Sequence, residues 1–175
     1  MLSLDNKHVH IVDFGLAKNH LDRNGKPVPQ RKKADFRGTV SFASLNAHNS
    51  VDLSRRDDLW SLYFVILDFL RENLKWREQK EYSMDQVKKI KTHCLQNPEN
   101  MLWSATKSLP EVRNIFNHLL RLSYADRPDY DFIRNELKNI YLKNMRPLVS
   151  LATLAPAEQN QPFLSHPHLH KGLIS

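Results

Sequence analysis

The stretch SRRDDLWSLYFVILDFLREN, positions 54–73, constrains this chain more than any other. Ser54 suits an N-cap, and Asp57 stands three residues on, the spacing of a capping box. Behind the cap come Leu59, Trp60, Leu62, Tyr63, Phe64, Val65, Ile66, Leu67, Phe69 and Leu70, which cover every side of a helix rather than one stripe. A helix apolar all round has to lie inside, with neighbours packed on each face. Three amphipathic segments are available to supply them. Ser83 and Gln86 open one that carries Met84, Val87, Ile90 and Cys94. LPEVRNIFNHLLRLSY presents Val112, Ile115, Phe116, Leu119 and Leu120, and PDYDFIRNELKNIYLKN presents Phe132, Ile133, Leu137, Ile140 and Tyr141.

The rest of the chain is less regular. In HVHIVDFG, Val9 and Ile11 alternate with His8 and His10, which predicts a short strand ending at Gly15. From Lys18 to Asn49 no helical period is sustained, and Asn24-Gly25, Pro27 and Pro29 punctuate a loop. A loop that long inside a domain usually has a function. Beyond Met145 the pattern dissolves into a tail with Pro, Gln and His, expected to be disordered. The expected fold class is mainly α: helices around one central helix, with a small β element at the start. The expected boundaries are a domain at 1–144 and a tail at 145–175.

A chain of 175 residues with 41% hydrophobic residues suits one domain with a true core. No apolar run is long enough to cross a bilayer, and the start has no basic-then-apolar signal pattern, so no membrane role is expected. One cysteine, Cys94, cannot form an internal disulfide and fits a reducing compartment, cytoplasmic or nuclear. The formal net charge of +7 favours acidic partners, although a well-solvated basic surface is the preferred reading. No RNA-reading aromatic motif or zinc-finger spacing brings nucleic acid into the expectation.

Several short motifs follow one another in a telling order. Asp13-Phe14-Gly15 comes first, inside VHIVDFGLAK. A long loop leads to Arg37-Gly38-Thr39-Val40, then to Ala43-Ser44-Leu45-Asn46-Ala47-His48, then to SRRDDLWSL at 54–62. Far downstream stands Arg127-Pro128-Asp129-Tyr130. Over about positions 9–143 this series resembles the protein kinases from their magnesium-binding tripeptide to the end of the large lobe. Within them it is most similar to the casein kinase I and tau-tubulin kinase group.

The resemblance implies a role for each motif. A strand-end aspartate followed by Phe and a flexible Gly places a carboxylate on the Mg²⁺ that bridges ATP phosphates, here Asp13. Phe14 would pack between the lobes to set its orientation, and Gly15 would permit the turn. The loop from Asp13 to Asn46 corresponds to the activation segment. Its seven basic residues against three acids, net +4, suit acidic or phosphorylated protein substrates. Arg37, Gly38 and Thr39 would form the substrate loop, Thr39 touching the catalytic aspartate. Ser41, where the group commonly has a basic residue, is a departure. Asp58, with Trp60 behind it, would be a buried carboxylate bracing the catalytic loop, and Arg127 would pair with the end of the activation segment. The usual glutamate partner of Arg127 is replaced by Asn46.

The same resemblance exposes what residues 1–12 do not carry: the Gly-rich loop, the phosphate-gripping lysine, the His-Arg-Asp aspartate and the asparagine for the second magnesium. One metal ligand without its neighbours cannot hold MgATP tightly, since this chemistry rests on positioning and preorganised charge. The chain is therefore expected to be the C-terminal segment of a serine/threonine kinase, from a truncated or mis-started gene model and inactive alone. The complete enzyme would use ATP and Mg²⁺. The alternative is a non-catalytic binding module that keeps the docking helices. His166, His168 and His170 alternate in HPHLH, a spacing able to chelate a metal, but a cluster without meaning is the preferred reading.

Overall fold

The computed structural model describes residues 8–70, 74–78, 81–103 and 109–152, with side chains up to 143 apart from that of Met101. Among the described residues six α-helices are formed: α1 (Leu45–His48), α2 (Arg55–Phe69), α3 (Met84–Gln96), α4 (Pro98–Met101), α5 (Pro110–Arg121) and α6 (Tyr130–Ala152). A 3₁₀ turn at Lys75–Arg77 lies between α2 and α3. Among the described residues there is no strand, only an isolated antiparallel bridge between Leu21 and Pro27 and a single bridged position at Val9. The mainly α expectation holds.

The segment predicted as a β-strand is extended but unladdered, and its side chains face water: Val9 is 79% exposed and Ile11 82%. Alternation predicts a strand only where a sheet exists to receive it. The long loop also differs in detail, because its end folds into α1, where the Ser44 hydroxyl accepts the Ala47 amide as an N-cap. The Asn24-Gly25 turn forms as read: Gly25 sits at φ 76°, and the Asp22 carboxylate accepts the amides of Asn24 and Lys26. At the other end, α6 runs to Ala152, past the boundary expected at 144. Residues 153–175, including the HPHLH histidines, lie outside the described residues.

The molecule divides into two compact units after Tyr141, and the residues up to that point form the unit with the core. The helices start and face inward as their caps and periods dictate. Ser83 caps α3, with Gln86 returning its side chain to the Ser83 amide. Val87 and Cys94 of α3, Val112, Ile115, Phe116 and Leu119 of α5, and Ile133 and Ile140 of α6 are buried together. Rings dominate the centre. Trp60 and Trp103 both meet Phe116 edge-on, at 5.5 and 5.2 Å between centroids, and the Trp103 indole N–H donates to the Tyr63 hydroxyl at 2.8 Å.

One expectation about α2 is overturned. Trp60, Tyr63, Phe64 and Leu67, spaced i, i+3, i+4, i+7, are buried against α5 and the 3₁₀ turn. The opposite side of the helix is open: Leu62 is 41% exposed, Phe69 79%, and Asp58 is exposed on the same side. The described residues cover one flank of this helix, not all of it.

Candidate functional site

A cleft of about 880 Å³ separates the long loop from the N-terminal end of α2. That volume lies within the range of small-ligand sites. Gly15, Arg37, Gly38, Thr39, Ser44 and Asp58 line it, so four of the sequence motifs do converge. Trp60 is in the core behind the cleft, and Arg127 is exposed elsewhere.

The Asp13-Phe14-Gly15 turn is formed but open. Asp13 has φ 65°, a left-handed conformation that aspartate tolerates better than most residues. Its Oδ1 accepts the Gly15 amide at 3.2 Å, folding the carboxylate back on its own chain. A β-carbon at position 15 would meet that same oxygen at 3.2 Å, which explains the glycine locally. Phe14 is 69% exposed, so the expected packing between lobes is not made. Among the described residues, no three carboxylates, histidines or cysteines gather as a metal-holding group.

The buried carboxylate at the start of α2 is Asp57, not Asp58. Asp57 Oδ1 accepts the Ser44 hydroxyl at 2.7 Å and the Asn46 amide nitrogen at 2.8 Å, and Oδ2 accepts the Ser54 backbone N–H at 2.9 Å. One side chain thus caps α2 and ties α1 to it. Asn46, expected opposite Arg127, is occupied here instead. Asp58 points to the cleft, where partial desolvation, then the charge of Asp57, raises its carboxyl above the usual range. The links between α2 and the 122–129 loop come from Arg56, donating to the Leu122 carbonyl at 2.7 Å, and Arg55, donating to that of Ala125 at 3.0 Å. Arg127 forms no ion pair among the described residues.

Two anchors that sequence reasoning missed hold the loop. Asp52 is 2% exposed and accepts Lys18 Nζ and Arg31 Nη2, each at 2.7 Å. It also takes the Arg31 amide at 3.2 Å and the Tyr124 hydroxyl at 3.3 Å. The Arg31 guanidinium foremost, with Lys18, holds this carboxyl far below the usual carboxylate range against its burial. Two of the seven basic residues of the loop are therefore engaged in anchoring it.

The second anchor is Lys91 of α3, 0% exposed. Its Nζ donates to the Val40 carbonyl at 2.9 Å and the Ala43 carbonyl at 2.7 Å. It stands 3.4 Å from His48 Nε2 and lies over the rings of Phe64 and Trp76. The turn it grips, Thr39–Ala43, is closed by the Phe42 and Ala43 amides, both donating to the Thr39 carbonyl at 2.9 Å. The Trp76 indole donates to the Ser41 carbonyl at 2.8 Å, and Arg77 lies over the Phe42 ring. The sequence held one clue: Lys91 falls four residues after Val87 and three before Cys94, on the apolar face of α3.

No protein-family model matches the chain. Over 133 residues, 75% of its length, it is 38% identical to a probable serine/threonine-protein kinase of Dictyostelium discoideum. The chain spans about a quarter of that relative's length (25%). The identity and extent of the match support a protein kinase relationship.

Proposed function

We propose that this chain is the helical-lobe segment of a serine/threonine protein kinase, of the casein kinase I and tau-tubulin kinase type, and that it has no phosphoryl-transfer activity by itself. The observation that carries the reading is the open flank of α2. Asp58, Leu62 and Phe69 face outward on a helix whose sequence is apolar on every side, and Phe14 of the Asp-Phe-Gly turn is exposed as well. Such a surface suits a partner segment that would also bring the missing catalytic groups. In the complete protein, ATP and Mg²⁺ would be the cofactors, and protein hydroxyls the acceptors.

The group assignment leans on Ala43–His48 and on the paired Asp57-Asp58. The exposed cations of the loop (Arg23, Lys26, Lys32, Lys33, Arg37) suit acidic or phosphorylated protein substrates, in a cytoplasmic or nuclear setting. The reading is tested with purified residues 1–175, MgATP and an acidic protein substrate. No phosphate incorporation above background is expected. Turnover that disappears in Asp13→Ala would overturn it.

A further inference from the structure

We propose that Lys91 is a positioning residue: its ammonium bolts α3 to the Thr39–Ala43 turn and thereby fixes how Thr39 is presented to the cleft. Only the description of that turn as substrate-facing rests on the functional reading above. The geometry stands independently of it.

A fully buried ammonium needs compensation, and this one receives it from groups that belong to four different elements. The turn gives two carbonyls, α1 gives His48, α2 gives the face of Phe64, and the 3₁₀ segment gives the face of Trp76. The titratable group facing it is His48 of α1, on which the charge of Lys88 of the same helix also acts. Its recorded partners are carbonyl dipoles, an imidazole and π faces, which hold a cation by direction rather than by opposite charge. An apolar residue of the same length would fill the space but withdraw the ammonium donor from the Val40 and Ala43 carbonyls, and that costs more than an unmade surface bond.

Burial pushes the Lys91 ammonium down to about 7. The grip is therefore placed to weaken near neutral pH. Protonated Lys91 offers three donors, which match Val40, Ala43 and His48 Nε2. The neutral amine keeps two donors and no charge. The 3.4 Å separation from His48 suits either direction of that third bond, depending on the imidazole tautomer.

Amide hydrogen exchange on the 175-residue chain tests this, because the Phe42 and Ala43 amides report directly on the turn. In Lys91→Met, exchange at these two amides is expected to quicken tenfold or more, while amides of α5 hold their rates. Lys91→Arg, which keeps the charge, is expected to restore part of the protection. In the wild-type chain, raising the pH from 6 to 9 is expected to loosen Phe42 and Ala43 beyond the intrinsic base dependence, with α5 unaffected. Unchanged protection in Lys91→Met, or equal loss of protection in α5, overturns the proposal. If Lys91→Met does not fold, the wild-type profile decides: a corrected rate at Phe42 and Ala43 that is flat from pH 6 to 9 overturns it. None of these readouts involves phosphoryl transfer, so their failure is distinguishable from failure of the kinase reading.

Discussion

The long loop is tied down twice, by opposite means. Between Lys18 and Arg31 it is held by a buried carboxylate that draws in exposed cations: the side chains of Lys18 and Arg31 are 44% and 63% exposed around an Asp52 at 3%. Between Thr39 and Ala43 it is held by a buried cation that draws in backbone carbonyls. The first tether has its variable half in water, so it is screened by salt and can be remade with a change of partner. The second is dry and directional, so salt hardly reaches it, but a proton does. A loop attached in these two ways has one end adaptable to its surroundings and the other set by the core.

The largest blow to this contrast comes from below Lys91. Phe64→Ala removes a fully buried ring that is both core and ammonium cradle, and is expected to cost about 3–5 kcal/mol. Chemical denaturation reads this, and the turn at 39–43 should lose protection along with α5. Next is acid. Burial, with the Lys91 charge, lowers His48 from 6.5 to about 4. As pH falls from about 6.5 to about 4, the unfolded chain therefore takes up that proton first, and stability declines by up to about 3 kcal/mol. Thermal melts at pH 7 and pH 4.5 measure the loss, and His48→Gln should flatten it. Over the same window Asp52 stays ionised, because its folded titration lies below the ordinary carboxylate range. Within the native state the 18–31 tether is therefore not weakened by acid over this window.

Asp52→Asn comes third. It keeps the shape and the Tyr124 contact but loses two charge-assisted bonds with exposed partners, so about 1–2 kcal/mol is expected after solvent screening. Limited proteolysis between Lys18 and Arg31 should accelerate clearly while the melting midpoint shifts little. The smallest effect is that of salt. Raising ionic strength toward 1 M, where the screening length is about 3 Å, should quicken cleavage within 18–31 and leave the Phe42 and Ala43 amides unmoved. Equal responses at the two sites would erase the distinction.

The helices were legible because caps and periods are local. Ser83 with Gln86, Val112 through Leu119, and the Asn24-Gly25 turn are each decided within a few residues. What the sequence concealed depended on the rotation of one element against another. Asp57 and Asp58 are neighbours, and only the seating of α2 against α1 decides which is buried. Asp52 is a lone acid in an irregular stretch, and its importance comes from cations 21 and 34 residues away. Lys91 was hidden by its type, since a lysine on an amphipathic helix is ordinarily assigned to water. The exposed side of α2 was misjudged for the converse reason: an apolar sequence tells that a surface should be covered, not which chain covers it.

Phe69, left in water at the end of α2, carries a practical consequence for anyone handling this protein. Its exposed ring, like that of Phe14, is apolar surface open to contact in the isolated polypeptide. Molecules meeting at high concentration will find one another by these flanks before they find anything else. Dilution, rather than cooling, is the condition in which the polypeptide shows its own behaviour instead of that of its aggregates.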